Sequence, residues 1–167
     1  MEEKRAAAAL DGLLAFRDRV GATYFGSSEP VDLVMTVPLV QRMAAAWSLV
    51  LRAEIKDLAL AQRYREARLR AKNARDLERV AAAEPAVLDA ISKSGLSVHE
   101  FVTAMLAYQL VKQVMDRKYP AGMVDYGNVG PNTRFLRDHR SEIETALSAA
   151  SRLEQDLDAA VEAHARK

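Results

Sequence analysis

The sequence predicts an all-α protein, and three observations lead to that fold class. Residues 39–84 contain neither Gly nor Pro, so no residue in that run forces a helix to end. Hydrophobic residues make up 50% of the chain but aromatic residues only 6%, which leaves much of the core to Ala, the best helix former. Residues 31–35 could form a short strand, but the chain offers no second strand to pair with it. We therefore predict a bundle of four to five principal helices around a buried central helix at about residues 97–118.

The N-terminal part begins with a predicted helix at residues 2–20, which carries a broad apolar face. A loop with Gly21, Gly26 and Pro30 follows, and residues 31–35 are interpreted as an extended lead-in packed on the core. Thr36 is a suitable N-cap for the next helix, because its hydroxyl can accept a hydrogen bond from a free backbone amide of the first turn.

The run from residue 39 to 84 changes character halfway. Its first half carries an apolar stripe with Trp47, the only Trp, and we expect that half to be buried against the central helix. Its second half replaces the stripe with Ala, Arg and Lys. We predict that residues 61–80 form either a projecting basic helical arm or a second helix after a break near residues 60–63.

The strongest local signal surrounds the predicted central helix. Pro85 ends or kinks the preceding segment, and Gly95 is a typical helix stop. Ser97 and Glu100 match a capping box, in which each side chain satisfies a backbone amide of the other residue. The helix that follows is apolar nearly all round, which is typical of a helix buried on most sides.

The C-terminal part contains a loop and one long helix. Residues 120–131 include three Gly and Pro131, and we interpret them as a crossing loop over the core. The last helix is predicted to begin near Asn132 and to continue to the C-terminus, since apolar residues keep helical spacing throughout. The whole chain, residues 1–167, is predicted to form a single helical domain.

Composition excludes several classes of function. The chain has no Cys, which excludes thiol catalysis, Cys-ligated metals and disulfides. Its net charge is +1, so no strong long-range field favours a charged partner. No apolar run reaches the length of a transmembrane helix, and the N-terminus has acids before its bases, unlike a signal peptide.

A row of basic residues is the first candidate for a binding surface. Its members are spaced three, four, three and four residues apart, which would place them on one face of a continuous helix: Arg65, Arg68, Lys72, Arg75 and Arg79. Such a stripe could follow phosphates of a nucleic acid or an anionic surface. Because no aromatic platform or Gly-rich tip accompanies it, we favour a solvated face and consider nucleic acid an improbable partner.

A second set of polar and aromatic residues could surround a ligand between the helices: His139, His99, Tyr108, Gln109 and Trp47. Tyr108 and Gln109 interrupt an otherwise apolar helix and need an internal hydrogen-bond partner or a ligand. Two distant His residues could in principle ligate haem, but they do not make a metal-ligand set. We therefore predict no cofactor and no metal, and ordinary packing is the competing interpretation for these residues.

No catalytic constellation is visible. The sequence lacks a G-x-S-x-G elbow, and an all-helical chain would not provide the strand that such an elbow requires. The predicted function is a non-enzymatic binding or accessory module that interacts with protein partners or with itself through helices. A bundle that binds haem or a lipophilic small molecule is the first alternative, and a binder of nucleic acid or anionic surfaces is the second.

Residues 31–147 contain a recognisable pattern: Val31-Asp32-Leu33 before Thr36 and Trp47, then Gly95-Leu96-Ser97 with Glu100-Phe101, then Pro131-Asn132 with Phe135-Leu136-Arg137, His139 and Ile143. With this pattern the chain resembles uncharacterised small helical proteins of bacteria that are often predicted to be exported. The resemblance implies a helical fold and a periplasmic mature chain, with no activity attached. A cytoplasmic location is the expectation if Met1 is the native start.

Overall fold

The all-α prediction is confirmed by a computed structural model that describes residues 29–116 and 127–167. These residues form eight helices and no strand. The helices are α1 (Glu29–Asp32), α2 (Val37–Lys56), α3 (Leu58–Arg70), α4 (Ala74–Ala83), α5 (Pro85–Lys93), α6 (Val98–Met115), α7 (Val129–Asp138) and α8 (Arg140–Ala165). Four of them, α2, α3, α6 and α8, have 13 residues or more. The helix predicted at residues 2–20 lies outside the described residues.

Helix α2 makes the most extensive helix–helix contacts. It begins as the sequence predicts, since Oγ1 of Thr36 accepts a hydrogen bond from the backbone amide of Leu39 at 3.3 Å. The helix packs along α8 and also contacts α3, α5 and α6. Ala44 and Ala46 are buried among larger side chains, and their small size allows neighbouring helices to approach closely. The first half of the Gly/Pro-free run is thus part of the core.

Helix α6 contacts five other helices and begins at the predicted capping box. Oγ of Ser97 accepts a hydrogen bond from the Glu100 amide at 3.1 Å, and Oε2 of Glu100 accepts one from the Ser97 amide at 2.7 Å. The expectation of burial on most sides needs correction. Gln109 and Lys112 are exposed, and Tyr108 is only half-buried, so one face of α6 opens towards solvent.

Residues 61–80 belong to two packed helices, and a single projecting arm is not what the structure shows. The first break comes at Asp57, whose Oδ1 accepts hydrogen bonds from the amides of Ala59 and Leu60, each at 3.1 Å. A second break follows α3, and Oδ1 of Asn73 caps α4 by accepting from the Asp76 amide at 2.9 Å. These caps allow α3 to fold back on α2 and α4 to pack on α6.

The predicted last helix is divided into α7 and α8 at His139, and it begins at Val129 instead of Asn132. The buried side chain of Asn132 holds α7 against the segment between α1 and α2. Its Oδ1 accepts from the Met35 amide at 2.9 Å, and its Nδ2 donates to the Leu33 carbonyl at 2.7 Å. Residues 31–35 complete α1 and lead into α2 without forming a strand.

The loop predicted at residues 120–131 falls largely outside the described residues, and Val129 to Pro131 form the first turn of α7.

Candidate functional site

A cavity of about 170 Å³ lies between α2, α3, α4 and α6. Its walls combine apolar and aromatic side chains with a few polar groups: Trp47, Val50, Glu54, Tyr64, Arg68, Leu77, Phe101, Val102, Met105, Leu106 and Gln109. Three aromatic rings and five aliphatic side chains surround a single acidic residue. Such a combination is typical of sites that bind small organic molecules.

Glu54 is the unusual member of this wall. Its side chain is 1% exposed, and Oε2 has no hydrogen-bond partner among the residues that the structure describes. Loss of solvation raises the pKa of the Glu54 carboxyl, while the positive charges of Arg68 and Arg65 oppose the rise. A buried acceptor without a partner is rare in folded proteins, because leaving it unpaired is costly.

Tyr64 and Arg68 form the side of the cavity contributed by α3. Tyr64 is buried, and this burial raises the pKa of its phenol. The exposed guanidinium of Arg68 lies over the Tyr64 ring, with its central carbon 4.5 Å from the ring centroid. Within the described part of the chain, Arg68 forms no ion pair within 4.0 Å. The Arg68 guanidinium therefore lies on the aromatic wall and forms no ion pair with the carboxyl of Glu54.

Trp47 separates this cavity from a second and larger one. The indole is half-buried and also lines an open cavity of about 670 Å³ between α2, α6, α7 and α8. Tyr108 contributes to the wall of this larger cavity, and partial burial raises the pKa of its phenol. The charged residues on that wall include Arg140 and Glu144, which already pair with each other at 2.7 Å.

The structure brings together only some of the residues that the sequence proposed as ligand contacts. Trp47 and Gln109 line the smaller cavity, and Tyr108 lines the larger one. His139 caps α7, where its ring centroid lies 4.7 Å from that of Phe135 and its Nδ1 lies 3.0 Å from a carboxylate oxygen of Glu142. His99 lines neither of the two cavities.

The row of basic residues is divided between two helices. Lys72 lies in the linker between α3 and α4, so the regular spacing no longer implies one continuous helical face. Arg65 pairs with Asp158 at 2.9 Å, and Arg79 lies 3.9 Å from Asp76. Arg75 is exposed on α4. Of the five cations, Arg68 is the one that reaches the smaller cavity.

The described residues contain no group of three or more His, Asp or Glu side chains placed to hold a metal ion. Over the same part of the chain, no helix combines the length and apolar character needed to cross a membrane.

Sequence reasoning missed Glu54 and Tyr64. A signal for Glu54 was present, because it lies three and four residues after Leu51 and Val50 and so falls on the apolar stripe of α2. A charged residue on such a stripe is either paired or functional. The contribution of Tyr64 depended on the break at Asp57, which the Gly/Pro-free run concealed.

Comparison of the chain with protein-family models, with curated proteins and with solved structures gave no match.

Proposed function

We propose that this chain is a non-enzymatic binding module that takes a small, largely apolar molecule with one polar end into the Glu54 cavity. The observation that carries the proposal is the unpartnered Oε2 atom of the buried Glu54 side chain. An unsatisfied buried polar group costs about 1–3 kcal/mol, and a ligand that donates a hydrogen bond to it would recover part of that cost.

The size of the cavity limits what it can hold. Its volume of about 170 Å³ is close to that of apolar protein cavities of roughly 150 Å³ that bind benzene. One ring with a short polar substituent fits this space, whereas a haem group does not. The cavity volume supports the small-molecule alternative that the sequence predicted, with the ligand limited to about the size of one substituted ring. Binding of a protein partner, and of nucleic acid through the basic residues, stay predictions.

The lone Trp provides a direct test. Trp47 lines the cavity and is the only Trp in the chain, so its fluorescence should report entry of a ligand. We would titrate the protein with toluene, benzyl alcohol and benzylamine and follow Trp emission. We expect a saturable change with at least one of these probes.

A variant that fills the cavity, Leu106→Phe, tests whether the probes bind there. Leu106 is a half-buried residue of the cavity wall, and the larger ring would fill part of the space. We expect this variant to keep its helical circular dichroism and to lose the saturable change. The proposal is wrong if none of the three probes gives a saturable change in the wild-type protein, or if the folded Leu106→Phe variant binds them as the wild type does.

A further inference from the structure

We propose that the Glu54 cavity recognises a small organic cation, whose ammonium group donates to Oε2 of Glu54 and whose apolar body packs against Trp47, Phe101 and Met105. This inference rests on the proposed function, since it names the chemical class of ligand for the same site. It does not follow from the size of the cavity alone, because toluene and benzyl alcohol have similar shapes to benzylamine.

The polar group on the cavity wall favours a cation. Glu54 is the only acidic residue that lines the cavity, and one of its oxygens lacks a donor among the described residues. An ammonium group supplies three donors and a positive charge, while a hydroxyl supplies one donor and no charge. Hydrogen bonds between charged partners are roughly twice as strong as neutral ones. The carboxyl therefore distinguishes an amine from its neutral analogues.

The aromatic side chains around the cavity also favour a cation. Trp47, Tyr64 and Phe101 all line the cavity, and the face of an aromatic ring attracts cations. The structure already shows this attraction at the rim, where the guanidinium of Arg68 lies 4.5 Å from the centre of the Tyr64 ring. Arg68 does not pair with Glu54, so Oε2 keeps no donor among the described residues.

The balance of charge around Glu54 decides between a cationic and an anionic ligand. Arg65 and Arg68 from α3 are the positive groups that act on the Glu54 carboxyl, and Glu154 from α8 is the negative one. Arg65 is occupied by its 2.9 Å ion pair with Asp158. Arg68 is thus the one cation able to favour an acidic ligand, and such a ligand would meet the repulsion of an ionised Glu54 in the same cavity.

The experiment compares four probes of similar shape in wild-type protein and three variants, with binding measured by Trp47 fluorescence. The probes are benzylamine, benzyl alcohol, toluene and benzoate. Glu54→Gln removes the acidic group and keeps its shape, and Arg68→Gln removes the cation at the rim. Glu66→Gln is the matched control, because Glu66 is an exposed carboxylate on α3 that does not line the cavity.

We expect benzylamine to bind the wild-type protein about tenfold more tightly than benzyl alcohol or toluene, the ratio that corresponds to about 1.4 kcal/mol. Glu54→Gln should remove this preference while toluene binding continues, which shows that the variant keeps its cavity. Arg68→Gln should strengthen benzylamine binding, since it removes a competing cation. Glu66→Gln should change neither.

Three results would overturn the inference. If toluene and benzyl alcohol bind as tightly as benzylamine, the cavity is a binding site without charge recognition, and only the proposed function survives. If benzoate binds most tightly and loses its affinity in Arg68→Gln, the ligand is an acid. If no probe binds, the inference and the proposed function both fail.

Discussion

The Nδ1 atom of His99 lies 2.7 Å from Oε1 of Glu78, and this contact joins the first turn of α6 to α4. The other ring nitrogen, Nε2, lies 2.8 Å from Oε2 of Glu29 in α1. A neutral imidazole donates from one nitrogen only, so two carboxylate partners favour the doubly protonated ring. The hydrogen bond with Glu78 is the main cause of the raised pKa of His99, and the charges of Glu78 and Glu29 add to it.

We predict that this contact makes folding stability depend on pH. The folded pKa of His99 lies above the ordinary value of 6.5, so the stabilisation is complete below that value and is lost as pH rises through the folded pKa. Because the ring is half-exposed, the loss should be less than about 1 kcal/mol. Urea unfolding at a series of pH values should show this loss in the wild type and not in His99→Gln. His164→Gln, in an exposed last turn, should behave as the wild type does. A fall in stability above pH 6.5 that is as large in His99→Gln as in the wild type would rule out this origin.

We predict that Glu54→Met stabilises the protein. The substitution replaces an unpartnered buried carboxyl with an apolar side chain of similar length, and the expected gain in free energy of unfolding is about 1 kcal/mol. The raised pKa of Glu54 means that the folded state holds its proton to a higher pH than the unfolded state. Wild-type stability should therefore fall as pH rises from about 4.5 through the folded pKa, and this fall should be absent in Glu54→Met.

Urea unfolding measures the gain in free energy of unfolding of Glu54→Met. Glu66→Met is the exposed control, for which we expect no gain. A loss of stability in Glu54→Met would mean that Glu54 has a partner in solution, and it would also remove the main support for the binding proposals.

We predict that Asn132→Ala is strongly destabilising. The substitution leaves the Met35 amide and the Leu33 carbonyl without their partner, at a cost of about 1–3 kcal/mol for each group that stays buried and unpaired. Asn128→Ala is a useful comparison, because the half-buried Asn128 side chain donates only to the Asp32 carbonyl. Thermal unfolding followed by circular dichroism should give the larger decrease for Asn132→Ala. Equal decreases would mean that water replaces the amide of Asn132.

We predict that Gly127→Ala costs more stability than Gly95→Ala. Both residues have positive φ angles, +44° and +80°, which cost about 1 kcal/mol for a residue with a Cβ atom. A Cβ at Gly95 meets no atom within 4 Å, whereas at Gly127 it would lie 2.9 Å from the Val31 carbonyl oxygen. The difference between the free energies of unfolding of the two variants, measured with urea, gives the cost of this close approach. Equal losses would show that the chain near Gly127 shifts to accept the methyl group.

The helix ends that sequence analysis located are those with a local signal. Ser97 and Glu100 satisfy each other within one turn, and Thr36 caps α2 with its own hydroxyl. Gly95 adopts a positive φ of 80° after α5, and Pro85 occupies the first turn of that helix. Such signals depend on neighbouring residues only, so they can be recognised without knowing the fold.

The breaks at Asp57 and Asn73 were harder to locate, although both residues are good N-caps. Each lies in a Gly/Pro-free run of residues compatible with a continuous helix. The alternatives differ in what they bury: the breaks allow Leu60 and Tyr64 to enter the core and bring α4 onto α6. Contacts between residues distant in sequence supply the free energy that favours the broken helices. A local sequence pattern does not reveal those contacts.

The sequence by itself determined that the chain is helical, where the capping box lies and that the first half of the run from residue 39 to 84 belongs to the core. Only the tertiary structure decided that Trp47, Glu54, Tyr64 and Arg68 surround one cavity, because α2 and α3 contribute them from opposite sides of the break at Asp57. The periodicity of a single helix assigns a residue to a face, but the packing of several helices determines whether a buried carboxyl on that face finds a partner.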